Sequence, residues 1–234
     1  TLVVATVDRP DPDPAIANLL CITGGWAAFA IVDATGDAIR WARTLFQGGE
    51  SGYSDLIALA EDVPAVSEGV LFLPYLNGER IARKPNSRGQ FFGLTSRHTV
   101  GHLNRAILEG VAFACNRQMR LFRQKGYRFD RVIAAGGGAK SSLWLRIKAS
   151  IYNCPIVIPS EPECGVVGCA MLAGVASGLF ADLEIEAARQ VRYTGEIEPN
   201  PEWTERYAAA QRLFDDIYES SERFWDRLER CRVP

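Results

Sequence analysis

A chain of 234 residues, 47% hydrophobic and 23% charged, is long enough to bury a substantial core and has an ordinary globular composition. Its formal net charge of −2 gives no overall field that would draw it to nucleic acid or an anionic membrane, and no apolar run approaches the length of a membrane span. The six cysteines show no C-x-x-C spacing and sit mostly in apolar stretches, which predicts buried free thiols in a reducing cytosol rather than disulfides or zinc.

Thr1 to Val7 reads as a β-branched strand with no initiating methionine or lead-in, so the sequence is expected to be a piece of a longer protein. The proline-rich DRPDPDP that follows predicts a surface loop, because each proline removes a backbone donor and restricts the residue before it. Leu19 to Thr23 and Trp26 to Val32 predict a hairpin around Gly24 and Gly25. Ala38, Ile39, Trp41, Ala42 and Leu45 recur at helical spacing between Asp37 and Phe46, with Gly36 just ahead, and Ser54 to Ala60 predicts a second helix. Val70 to Leu73 is a short buried strand leading into PYLNGER. Residues 77 to 90 form a polar loop with a basic cluster, Arg80, Arg83, Lys84 and Arg88; a solvated loop is expected, with Arg80 and Arg88 at the edge or on the rim of an interdomain cleft.

Thr99 is expected to cap a long helix reaching Gln124, on which Leu103, Ala106, Ile107, Gly110, Val111 and Ala114 form an apolar stripe. Val132 to Ala135 then reads as the end of a buried strand, and Gly136, Gly137 and Gly138 follow it directly. Glycines can take φ > 0 and let a ligand lie against the main chain. Ser141 or Ser142 could cap the next helix, whose N-terminus favours an anion. An ordinary strand-to-helix turn is the plainer reading of the same residues. Further on, Ile156 to Ile158 predicts a strand, Val166 to Ser177 a small-residue helix, and Glu202 to Arg230 an amphipathic helix. Tyr207, Leu213, Phe214, Ile217, Phe224, Trp225 and Leu228 would form its apolar face. An antiparallel β group followed by alternating helices and strands predicts an α/β domain with a mixed sheet, free of linkers and repeats.

Several chemistries lack their residues. His98 and His102 lie four apart but have no zincin glutamate or carboxylate cluster beside them, so capping or surface roles are expected and no metal site is assigned. There is no nucleophile elbow, no P-loop and no G-x-G-x-x-G fingerprint. The basic loop has no aromatic platform or recognition motif, so no nucleic-acid partner is expected.

GVLFLPYLNGER, GQFFGLTSRHTVGHLNRAILEG with Gly89, Phe91, Gly93, His102, Leu103, Ala106, Ile107, Leu108 and Glu109, then AAGGGAKSSLW, then ECGVVGCAMLAGVASGLF with Glu163, Gly165 and Gly168, occur here in that order. This series resembles the C-terminal half of the FGGY carbohydrate kinases, the sugar and polyol kinases with a ribonuclease H-like, actin-like ATPase fold. The resemblance implies an α/β domain whose mixed sheet is flanked by helices, residues 1–234 being the C-terminal nucleotide-binding domain of a longer chain. It implies that Gly136, Gly137 and Gly138 meet the ribose and α-phosphate side of ATP and that Ser141 or Ser142 meets the adenine. TGDAIRW would put Gly36 near the phosphates and Arg40 in reach of them, an exposed helix charge being the alternative for Arg40. Thr1 would lie just inside the strand turn that holds the β- and γ-phosphates.

The resemblance also implies ATP and Mg2+, the metal held mainly through ATP and the other domain, and a small sugar bound through an N-terminal domain outside this chain. That domain would carry the catalytic aspartate, so no catalytic residue is assigned here and the segment alone is expected to be inactive. A cytoplasmic location is expected, no membrane partner is, and a homodimer is among the assemblies the resemblance allows. IARKPNSRG lacks the glycerol kinase pattern and PYLNGER is unlike the ribulokinase stretch, which favours xylulokinase-like or gluconokinase-like members. The expected activity is phosphorylation of a ketopentose such as xylulose. Gluconate or polyol phosphorylation and a non-catalytic ATP-binding module are the alternatives.

Overall fold

The protein is described by a computed structural model covering residues 2–49, 52–81 and 84–231; Thr1 and Arg83 lie outside the described residues. Three antiparallel strands open the chain, β1 (Leu2–Val7), β2 (Ala17–Leu20) and β3 (Trp26–Ile31), with β3 in the middle. Gly24 and Gly25, both at positive φ, turn the chain from β2 to β3. That turn begins at Cys21, whose N–H donates to the Gly25 carbonyl at 3.1 Å, so β2 ends three residues earlier than its apolar composition predicts. The proline-rich segment between β1 and β2 is pinned rather than loose. Asp11 accepts from Lys125 at 3.0 Å and from Tyr127 at 2.9 Å, and Asp13 pairs with Lys125 at 3.0 Å.

Helices α1 (Gly36–Gln47) and α2 (Tyr53–Glu61) follow, then a two-stranded antiparallel pair, β4 (Leu71–Leu73) with β5 (Gln90–Phe92). The centre of the molecule is α3 (Val100–Gln124), with sixteen buried residues among its twenty-five. Gly110 sets how closely it packs. A Cβ there would come within 2.0 Å of the Phe72 carbonyl oxygen, so only glycine lets α3 lie directly on β4. Thr99 caps this helix with His102 as its reciprocal partner in a capping box.

Beyond α3, β6 (Val132–Ile133) runs parallel to β7 (Ile156–Pro159), connected through α4 (Ser142–Tyr152), as parallel pairing requires a crossover. Helices α5 (Cys164–Ala176) and α6 (Leu183–Gln190) lead to β8 (Tyr193–Ile197), which adds antiparallel to β7. The described chain ends with α7 (Pro201–Arg230), capped by the Asn200 side chain and carrying proline in its first turn. Phe72, Phe113, Ile107, Leu145, Ile147, Phe214 and Trp225 form a single core joining β4, α3, α4 and α7. This is a mixed α/β architecture, as the element pattern predicts.

Some expectations need correction. Leu213, Phe224 and Leu228 on α7 are exposed, and Tyr218 is buried in the face they were expected to share with Tyr207 and Trp225. Cys115 and Cys154 are buried free thiols, but Cys164, Cys169 and Cys231 are exposed and Cys21 is half-buried.

Inside the core, Arg105 and Glu109 form an ion pair of 2.7 Å, with each side chain only 1% exposed. Glu109 also accepts from Tyr207 at 2.7 Å, from the Val66 amide at 3.0 Å and from the Ser67 hydroxyl at 3.1 Å. Val66, Ser67 and Glu68 are consecutive non-glycine residues at positive φ, and Glu109 holds the first two.

Candidate functional site

The glycine run sits where β6 gives way to α4. Of the three residues, only Gly136 adopts positive φ, at 73°, and its amide donates to the Pro162 carbonyl at 2.7 Å. Gly137 begins a 3-10 turn to Lys140, and neither it nor Gly138 uses the positive φ that glycine allows. These two glycines differ in the space around them. A Cβ on Gly137 would meet no atom within 4 Å, so its main chain lies open to the solvent side. A Cβ on Gly138 would lie 2.9 Å from the Trp144 ring and 3.2 Å from Lys148 Nζ, so this glycine lets the loop close down on α4.

Ser141 is the N-cap of α4, its hydroxyl accepting from the Trp144 amide at 3.2 Å, and Ser142 is the first helical residue. Trp144 is anchored in turn by its indole N–H, which donates to the Leu108 carbonyl at 3.1 Å. The loop therefore rests on a fixed floor, tied to the central helix. Lys148, one turn further along α4, holds its ammonium 3.8 Å from the centroid of the Trp144 ring. Burial lowers its pKa to about 8, with the Cys115 thiol opposing.

Gly36, Arg40, Gly136, Gly137, Gly138, Ser141 and Ser142 all line one cleft of about 1710 Å3. Elements far apart in the sequence, the start of α1 and the start of α4, are thereby placed on its walls. The volume exceeds the roughly 300–1,000 Å3 usual for a small-ligand pocket. The cleft also runs along Val3 to Thr6 of β1 and along β6, each hydrogen-bonded to a neighbouring strand on one side only among the described residues. Gly36 has open space where a Cβ would stand. Arg40 is tied to Asp37 on its own helix and is 64% exposed, the surface arrangement, although it keeps its place on the cleft wall.

His98 and His102 are spent locally. Each Nδ1 accepts a backbone N–H, from Thr95 at 2.8 Å and from Thr99 at 3.2 Å. Among the described residues no group of three or more His, Cys, Asp or Glu could hold a metal ion, so the side chains here do not make a metal site of their own. No helix among the described residues is long and apolar enough to cross a membrane.

The basic loop is only partly solvated: Arg80 is exposed, but Lys84 is not. Lys84 is only 6% exposed and pairs with Glu219 at 2.7 Å and Glu222 at 3.2 Å; Arg88 pairs with Glu229 at 2.6 Å, and Asn86 hydrogen-bonds Asp226. These acids recur on α7 at spacings of three, four and three, which is one helix face. Lys84, with Arg117, holds the Glu219 carboxyl below its usual range. Arg80 pairs with Asp33 instead. Sequence reasoning saw the cations and missed the acid stripe that was legible in α7.

With Arg80, Lys84 and Arg88 each paired to an acid, the loop should not act as a nucleic-acid surface. Fluorescence anisotropy with labelled duplex and single-stranded DNA at about 150 mM salt should show no saturable binding. A steep salt dependence, with the slope of several phosphate contacts, would contradict this reading.

The described fold and cleft have clear relatives. The model of the FGGY family of carbohydrate kinases, C-terminal domain, matches residues 2–177. The chain is 33% identical over 186 residues to the xylulose kinase of Bacillus subtilis, covering 79% of this chain and 37% of that protein. Among solved structures, the xylulose kinase of Lactobacillus acidophilus superposes with a TM-score of 0.85 at 28% identity over 97% of this chain and 46% of that one. The gluconate kinase of the same organism gives a TM-score of 0.85 at 27% identity with the same coverage. The chain spans less than half the length of these relatives. By its glycine loop, its architecture and these matches, the chain belongs to the FGGY family of carbohydrate kinases, whose C-terminal domain it carries.

Proposed function

We propose that residues 1–234 are the nucleotide-binding half of an ATP-dependent kinase that phosphorylates a sugar hydroxyl. The observation that carries this reading is the open main chain at Gly137, beside the N-terminus of α4 and in one cleft with Gly36 of α1. Backbone free of side chains beside a helix N-terminus is suited to ribose and phosphate. In this reading Gly136, Gly137 and Gly138 take the ribose and α-phosphate side, Ser141 or Ser142 the adenine, and Gly36 and Arg40 the remaining phosphates. Arg40 would exchange its contact with Asp37 for one with phosphate. Magnesium would arrive with the ATP, held by its phosphates and by the other half of the protein.

Phosphoryl transfer rests on positioning and on electrostatic stabilisation, and a base must reach the hydroxyl it deprotonates. Asp37 and Glu61 are the carboxylates on the cleft wall among the described residues. Asp37 is tied to Arg40, and Glu61 lies on α2. The base and the sugar contacts are assigned to an N-terminal domain, which would close over the nucleotide and exclude water. A cytoplasmic location follows from the need for ATP. A ketopentose such as xylulose is the proposed substrate. Gluconate remains the second reading, because the gluconate kinase superposes as well as the xylulose kinase.

An ATP-consumption assay across pentuloses, polyols and sugar acids tests both levels. This chain alone should release no ADP in response to any sugar, and the protein restored to the length of its relatives should respond to one class. Sugar-dependent turnover by residues 1–234 would mean that the active site has been misplaced. ATP binding without turnover in the restored protein would favour a non-catalytic module.

A further inference from the structure

Lys148 is the unusual residue of the cleft. Its half-buried side chain puts the ammonium between the Trp144 ring and the glycine loop, on the wall of the cleft, and desolvation and the Cys115 thiol are what act on it; no carboxylate among the described residues does. Taking a charge even partly out of water without a partner acid is unfavourable. An apolar side chain of similar length would fill the same space, against Trp144 and Cys115, without that cost. Lys140, the other amine near the loop, lies 3.5 Å from Glu163 and so has an acid already.

The position of the ammonium is equally specific. Gly138 has no Cβ, and one built there would stand 3.2 Å from Lys148 Nζ, so the amine reaches the level of the loop itself. The open backbone of Gly137 is the next residue. A lysine stem is long and flexible, and its head can move from the indole face to an anion lying on the loop.

We infer that Lys148 is a phosphate-binding residue of this cleft, a cation held in reserve beneath the glycine loop for the phosphate chain of a nucleoside di- or triphosphate. The inference rests on the reading of the cleft as a nucleotide site. It accounts for an otherwise unfavourable lysine, since an arriving phosphate supplies the missing counter-charge. It also assigns affinity for the charged part of the ligand to a side chain below the loop, in addition to the backbone and Arg40.

Titration calorimetry on the 234-residue chain with ATP, ADP and adenosine separates the possibilities. Lys148→Met should weaken ATP and ADP by on the order of tenfold and leave adenosine within about twofold. Lys148→Arg should restore most of the loss, and the melting temperature of Lys148→Met should equal or exceed that of the wild type. A second readout is proton uptake, followed in buffers of different ionisation enthalpy at about pH 8.5, just above the pKa of the free amine. Of the other titratable groups lining the cleft, Cys115 on α3 acts on Lys148 and Tyr152 on α4 bonds to Cys115; burial raises both, so they stay neutral there, and Asp37, Glu61, Tyr127 and Lys140 are common to the wild type and Lys148→Met. Phosphate binding should therefore draw a fraction of a proton onto Lys148 in the wild type and none in Lys148→Met. Equal ATP affinity in the wild type and Lys148→Met, or an equal loss for adenosine, would overturn the inference while leaving the nucleotide site in place. Failure of the wild type to bind any of the three ligands would overturn the nucleotide reading and this inference with it.

Discussion

Gly137→Val should lower ATP affinity by roughly a hundredfold or more, with little change in the stability of the fold. The three glycines of the loop differ in what a side chain would do, and this position separates binding from folding. At Gly136 the backbone sits at a φ of 73°, so a β-branched residue would be strained there whatever the ligand did. At Gly138 a Cβ would press on the Trp144 ring at 2.9 Å and disturb the floor of the site. Gly137 has neither problem, since no atom lies within 4 Å of its Cβ position and its φ is not positive. The new side chain projects into the space a nucleotide would need. Its cost to the fold is about 1 kcal/mol or less, a melting shift of a few degrees at this chain length. Calorimetry with ATP, beside a thermal melt, gives both quantities, and unchanged affinity would place the nucleotide elsewhere.

How far the sequence revealed this arrangement depended on which physical signal each element carries. Helices α1, α3 and α4 were readable because their apolar positions recur at helical spacing and because Thr99 and Ser141 supply caps. Motif order, through a family resemblance, singled out the glycine loop together with Gly36 and Arg40 of α1, and the fold brings these residues into one cleft. What escaped was structure fixed by partners distant in the chain. Strand β8, Tyr193–Ile197, is almost wholly exposed and has no apolar alternation to announce it; it forms because β7 offers an edge. Strand β5 is three residues long and read as a loop end, until its pairing with β4 makes it a strand.

The basic loop failed for a related reason. Lys84 and Arg88 read as solvated because local sequence does not show that Glu219, Glu222, Asp226 and Glu229 will lie across from their end of the loop. Lys148 was invisible in a similar way. On a helix where Leu143, Trp144, Ile147 and Ile151 set the apolar pattern, one lysine looks like an exposed charge. Only the packing of Gly138 on Trp144 shows its ammonium to lie against the ring beneath the loop.

Glu109→Leu should produce the largest loss of stability, about 3–5 kcal/mol, the range for removing one partner of a buried ion pair. Every polar neighbour of this carboxylate is a donor: the Arg105 guanidinium, the Tyr207 hydroxyl, the Val66 amide and the Ser67 hydroxyl. A leucine would leave Arg105 buried, with the Tyr207 oxygen at 2.9 Å, the Ala60 carbonyl at 3.5 Å and the Trp203 ring at 4.6 Å as its remaining support. It would also release the Val66 to Glu68 turn, whose left-handed backbone is unfavourable by about 1 kcal/mol or more per residue and is held by Glu109. Arg105→Met should cost less, because the carboxylate keeps three donors and can take up a proton when its cation is gone. Urea denaturation of the two single variants and the double variant measures their coupling. The double variant should be more stable than Glu109→Leu alone, since it contains no unpaired guanidinium. A loss below about 1 kcal/mol for Glu109→Leu would mean that water or another acceptor reaches Arg105, and that the left-handed turn is held by its own backbone.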